Sequence, residues 1–177
     1  SALKRGSCLK PGVNRGGFML TEGRFEGRVA FAQRLREALT CAVQEGWPEI
    51  MVSDATFEDW PWREREAVDL LRAWSKTGRH FTMLASRYDV VERDQARFVT
   101  WRKKWSHIID CRVCRTVDPQ DFPSVLWSPH WTIQRFDLRL STGVCEGSPE
   151  RRVALKEVLD EHLRNSTPGF AATTLGL

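Results

Sequence analysis

Three short apolar runs, each separated from the next by a segment of helical periodicity, constrain this chain more than any other feature. They are Glu49-Ile50-Met51-Val52-Ser53, His80-Phe81-Thr82-Met83-Leu84-Ala85 and the stretch from His107 to Cys114. Runs of this length read as strands. In the third, Ile109, Cys111 and Val113 alternate with Asp110, Arg112 and Cys114, the period of a pleated strand. Phe31, Leu35, Leu39 and Val43 recur at helical spacing from Arg28 until Gly46 ends the pattern. Ala67, Leu70, Leu71 and Trp74 form a second stripe after Trp60-Pro61-Trp62, where Pro61 suits a first helical turn and Gly78 a stop. Val90, Val91, Phe98, Trp101 and Trp105 give a third. Strands alternating with helices predict a parallel sheet covered by helices, joined by right-handed crossovers.

The later part of the chain changes the pattern. After the turn-rich Asp118 to Pro123 come two more strand candidates, Ser124–Trp127 and Trp131–Leu140, which add antiparallel members. Pro149 opens a last helix with the stripe Val153, Leu155, Val158, Leu159 and His162. The expected fold class is α/β, a mixed, largely parallel sheet flanked by helices. Residues 1–27 contain seven Gly or Pro residues and read as a flexible, basic, glycine-rich arm. Residues 28–177 read as a single α/β domain, the usual count for 177 residues.

Composition narrows the function classes. Hydrophobic residues make up 41% and charged residues 28%, so the chain can bury a core. No apolar run reaches the length of about 18 residues needed to span a bilayer, and no secretory pattern opens the chain. Five cysteines, an odd number, argue against a disulfide framework and for a reducing, cytoplasmic setting. No cofactor is expected. The net charge is +4, but Arg97 to Arg115 alone sums to +5 and the remainder to −1. A local basic patch fits a phosphate-bearing partner, and a solvated helix face is the alternative. Phe98, Trp101 and Trp105, interleaved with Arg97, Arg102, Lys103 and Lys104, offer a platform for single-stranded nucleic acid. Their spacings of three and four make them a core stripe first.

Cys111-Arg112-Val113-Cys114 has the spacing of a metal knuckle, with His107 upstream and Cys145 or His130 as further ligands. On a strand, positions 111 and 114 point to opposite faces, so the expectation is buried thiols and no metal, with Cys111, Cys114 and His107 the residues to check. Asp54 closes a predicted strand, where open α/β sheets place ligand-binding residues, and Thr56, Glu58 and Asp59 follow it. The alternative for this group is a cap and turn cluster.

One motif carries chemistry. His130-Trp131-Thr132-Ile133-Gln134-Arg135-Phe136-Asp137 keeps the spacing H-x-K-x4-D with Thr132 in the lysine position. On this motif and the element order, the region resembles a degenerate half of the phospholipase D-like superfamily. The phrases Trp105 to Arg112 and Thr173 to Leu177 are similar to those of an uncharacterised bacterial family grouped with that fold. The resemblance implies an α/β sandwich whose halves pair within one chain or as a homodimer. It also implies that His130 attacks phosphorus or acts as the acid, while Asp137 orients it. Thr132 would stand where a cation grips the phosphoryl oxygens, and losing that charge costs about 10²–10³ in rate by analogy with deleting an oxyanion-hole donor. The small-residue signature of the family is represented by Ser141-Thr142-Gly143. If 131–140 is one straight strand, Asp137 faces away from His130 and Thr132, so the orienting role requires a turn or bulge.

The expected function is therefore a non-catalytic cytoplasmic domain that binds an anionic, phosphate-bearing ligand or a protein partner, with Thr132, Arg102, Lys103 and Lys104 as anion contacts. The alternatives are a phosphodiesterase or nuclease acting through His130 in a homodimer, a zinc-containing interaction protein, and a single-stranded nucleic-acid binder.

Overall fold

A computed structural model of the chain describes residues 20–172. The first nineteen residues of the expected arm, and the last five residues of the chain, lie outside them. Three strands, β2 (Glu49–Ser53), β3 (His80–Ala85) and β4 (Ile109–Val113), pair in parallel. Helix α1 (Arg28–Glu45) precedes β2, α2 (Arg65–Ser75) precedes β3, and α3 (Asp89–Asp94) and α4 (Ala96–Lys104) precede β4. Strands β5 (Ser124–Trp127), β6 (Thr132–Asp137) and β7 (Thr142–Glu146) extend the sheet on the β2 side, followed by α5 (Pro149–Arg164). Two short edge strands, β1 (Gly23–Phe25) and β8 (Thr167–Pro168), close an eight-stranded sheet of order β1-β7-β6-β5-β2-β3-β4-β8.

The sheet is mixed as expected, but its balance differs. Five of its seven pairings are antiparallel and two are parallel. The stretch expected as one strand over 131–140 is two: the chain turns after Asp137, whose carboxylate accepts from the Leu140 N–H at 2.8 Å, and returns as β7. Strand β1 lies within the stretch expected to be a flexible arm, and pairs Gly23–Phe25 with Gly143–Cys145. Strands of two or three residues carry no periodicity to read. The third helix is likewise two, broken at Gln95, which is buried and donates through its side chain to the Phe57 carbonyl at 2.9 Å.

The local reasons are ordinary ones. β2 and β3 are buried on both faces, as parallel strands between helix layers are, which is why they read as continuous apolar runs. Gly46 ends α1 at φ 65°, and its N–H returns to the Ala42 carbonyl. Ser148 caps α5 with Pro149 in its first turn. One sheet face packs Ile50, Val52, Phe81, Met83, Leu126 and Ile133 under α1, α2 and α4. The other is covered by α5, whose Leu155 and Leu159 meet Met51, Val125 and Trp127. A side chain on Gly143 would run into the Gln134 carbonyl and lie 2.6 Å from the Phe25 ring, so glycine lets β1 and β6 close on β7.

Candidate functional site

The C-terminal edge of the parallel strands is where an open α/β sheet holds ligands, and here the β2 end of that edge is filled by one ion network. Asp54 follows β2 directly. Its Oδ2 accepts from the N–H groups of Thr56 and Phe57 at 3.2 and 2.8 Å, shaping a tight turn. Its Oδ1 accepts from Arg135 Nη2 at 2.9 Å. Arg135 reaches in from β6 and spends its other donors locally. Nη1 donates to Asp59 at 2.9 Å and to Ser141 Oγ at 3.2 Å, and Nε donates to Ser124 Oγ at 3.1 Å. The guanidinium carbon also lies 4.5 Å from the centre of the Phe31 ring.

The Arg135 and Asp54 side chains are only 2% and 6% exposed. Four of the five guanidinium N–H groups have acceptors, and two carboxylates meet the Arg135 charge, with the exposed Arg28 also 3.7 Å from Asp59. Two of the three non-glycine residues with positive φ among the described residues, Phe57 at 61° and Ser141 at 51°, flank the network. Such strain persists only where the surroundings over-determine the backbone. Neither serine is hydrogen-bonded to a base in the described network. The cluster is thus a clamp that ties β2, β5, β6 and the loops at Asp59 and Ser141 together. A cleft of about 370 Å³ opens beside it, on the α5 side, with Ser124, Gln134, Phe136 and His162 in its lining.

The motif residues do not meet there. His130 precedes β6 and Asp137 ends it, so they stand about 20 Å apart at about 3.3 Å of rise per residue. The register does shift between Arg135 and Asp137, the irregularity that an orienting Asp requires, yet Asp137 serves the turn at Leu140. His130 is exposed at the opposite, N-terminal edge of the parallel strands, with its ring centroid 6.0 Å from that of Trp47. Thr132 is buried, and its hydroxyl donates to the Glu146 carbonyl at 2.8 Å, so it is closed to an anion. The small residues facing His130 are Gly147-Ser148, since a side chain on Gly147 would come within 3.0 Å of the His130 carbonyl. Ser141-Thr142-Gly143 lies at the Asp137 end instead.

The remaining candidates separate by burial. Arg102 is buried and donates to the Phe170 and Ile109 carbonyls, both at 3.3 Å, so it anchors the backbone at Phe170 and cannot hold an anion. Lys103 and Lys104 are exposed. Phe98 and Trp101 are core residues, and the Trp101 indole donates to Ser75 Oγ at 2.8 Å. Cys111 packs in the core under the helices and Cys114 in a separate cluster with Ala55, Leu84 and Phe122. Burial pushes the Cys111 thiol up to about 12. His107 is exposed before β4 begins, and among the described residues no group of three or more His, Cys, Asp or Glu could hold a metal ion.

Arg135 is the residue that sequence reasoning passed over, although it sits inside the quoted motif. Its signal is positional: it shares strand parity with Ile133, an inward place for a charge, and such a charge requires a buried partner. Asp54 was that partner.

No protein-family model and no curated protein matches the chain. Solved structures similar to it include the following two. TrmBL2, an archaeal chromatin protein whose structure shows a novel mode of DNA binding, aligns over 82% of this chain and 54% of its own, with TM-score 0.60 and 16% identity. This chain therefore spans about half the length of that one. Nuc from Salmonella typhimurium, a phospholipase D family member, aligns over 76% of this chain and 90% of its own, with TM-score 0.51 and 11% identity. The fold is phospholipase D-like. Among the described residues, no helix is long and apolar enough to cross a membrane.

Proposed function

We propose that this chain is a non-catalytic phospholipase D-like domain that binds nucleic acid through its phosphates. The observation that carries the reading is the separation of His130 from Asp137 by the full length of β6, with Thr132 turned to a backbone carbonyl. Phosphoryl transfer through a histidine requires that group oriented and a cation on the equatorial oxygens. In the described contacts the His130 ring lies beside Trp47, and Arg152, the cation next to this segment, donates to the Pro129 and Gly147 carbonyls. The clamp at the other edge offers no substitute, because its buried cation, Arg135, is already shared between two carboxylates. Binding without cleavage is the use that remains for a fold shared with a DNA-binding chromatin protein and a phospholipase D family member.

The test pairs two assays on the full chain. Fluorescence anisotropy with labelled single- and double-stranded oligonucleotides should give affinity that falls linearly, on logarithmic axes, as salt rises, because phosphate contacts release counterions. Hydrolysis of bis(4-nitrophenyl) phosphate should stay at the buffer rate, for wild type and His130→Ala alike. A flat salt dependence, or an activity that His130→Ala abolishes, overturns the reading.

A further inference from the structure

We infer that the nucleic-acid phosphates are met at the N-terminal edge of β3 and β4, by Lys76, Arg79, Lys103 and Lys104 with His80 and His107 beside them. This rests on the reading above and names the surface. Two turns build the edge. One leads from the end of α2 at Ser75 to β3 at His80, the other from the end of α4 at Lys104 to β4 at Ile109. They are held side by side: the Trp101 indole donates to Ser75 Oγ at 2.8 Å, and the Phe81 N–H donates to the Ile108 carbonyl at 2.8 Å. All six side chains are exposed, and none forms an ion pair among the described residues. Lys156, the other lysine in the described region, is held by Asp160 at 2.8 Å.

Charge bookkeeping sharpens the patch. Lys4, Arg5, Lys10 and Arg15 account for the whole net charge of +4, so residues 20–177 are neutral in sum. Against that neutral body, the edge sets four permanent cations beside two carboxylates placed by register, Glu49 opposite His80 and Asp110 opposite Thr82. Helix C-termini attract cations, which accounts for Lys76, Lys103 and Lys104 as separate residues. It does not account for Arg79, His80 and His107, which lie beyond the helices.

The geometry fits a polymer better than a small anion. Lys76 and the Lys103–Lys104 pair stand on two helix ends packed about 8–10 Å apart, and because all four cations are exposed no wall encloses a single phosphate. A nucleic acid supplies repeated charges to such an open array, with one per about 1.7 Å of duplex axis. An anionic membrane is disfavoured because insertion needs apolar side chains. The exposed large hydrophobics, Val29, Phe136, Leu140, Val153 and Val158, all lie on other elements.

The experiment compares the full chain with two triple variants. One is Lys76→Ala/Lys103→Ala/Lys104→Ala; the other is Arg24→Ala/Arg139→Ala/Arg164→Ala, which removes the same charge from exposed sites elsewhere. By anisotropy with a labelled duplex, the edge variant should bind at least about tenfold more weakly, with a salt slope shallower by about 2–3. The control variant should stay within about threefold of wild type. If wild type binds DNA and the edge variant binds equally, this surface is wrong while the functional reading survives. If both variants weaken equally, the patch is not a site. If wild type binds no oligonucleotide but co-sediments with phosphatidylglycerol vesicles, both proposals fall.

Discussion

The two ends of the parallel strands handle charge in opposite ways. At the C-terminal end Arg135 is buried, four of its donors are placed, and two carboxylates answer it. At the N-terminal end Lys76, Lys103 and Lys104 are exposed and no carboxylate pairs with them among the described residues. Burial explains the difference. A charge taken out of water costs several kcal/mol and is tolerated only when its geometry and partners are complete. An exposed lysine costs nothing to leave unpaired, so its charge stays available to something outside the fold. An open α/β sheet is expected to hold ligands at the first end, yet here the end of β2 is taken up by a structural network and the second end is open.

The hardest test of this contrast is Arg135→Met, which keeps length and removes charge. It strands the Asp54 carboxylate, which is 6% exposed, and should cost about 3–5 kcal/mol, the range for breaking one side of a buried pair. Urea unfolding measures it. Adding Asp54→Asn should recover part of the loss, because the uncompensated charge is then gone. A cost below about 1 kcal/mol would mean that the network is peripheral, and that the edge remains open to ligands.

This network also marks where sequence reading stopped. The alternation of β2, β3 and β4 with helices was legible because β2 and β3 are buried on both faces, β4 alternates between buried and exposed positions, and each helix keeps a stripe. Asp54 was legible from its place after β2. Arg135 was not, because pairing it with Asp54 depends on β5 lying between β2 and β6, a register no local pattern encodes. The motif pointed to the fold, but the placement of its residues was not legible for the same reason. His and Asp at fixed spacing along a strand end up at opposite edges of the sheet once the strand is straight enough to span it. Lys103 and Lys104 were singled out by composition alone, whereas Lys76, Arg79 and His80 join them only through the pairing of β3 with β4.

Titration gives a milder version of the contrast, since a buried group that changes charge reports on folding and an exposed one does not. Burial holds the Cys111 thiol near 12, against about 8.5 in an unfolded chain. The raised value favours the neutral thiol in the fold, so the stability it contributes is complete below pH 8.5 and is lost as pH rises towards 12. Between pH 7.5 and 9.5, under reducing conditions, wild type should lose about 1 kcal/mol more than Cys111→Ala does. Equal losses would mean that the thiol meets water in the fold.

The smallest effect is the most diagnostic for the open edge. Lys103→Ala and Lys104→Ala should each change stability by less than about 0.5 kcal/mol, the usual range for surface sites. The competing role is compensation of the α4 dipole, which is worth about 0.3–1 kcal/mol at low ionic strength and fades with added salt. Thermal unfolding at low and at moderate salt separates the two. A loss present only at low salt would assign the lysines to the helix end, where they would serve the fold as Arg135 does. No loss at either salt, together with weakened DNA binding, leaves two cations that the fold does not use, placed beside Lys76 and Arg79 on the adjoining turn. Charge that folding leaves unused is what a binding surface requires, because a partner then gains the full interaction without competing with the protein's own structure.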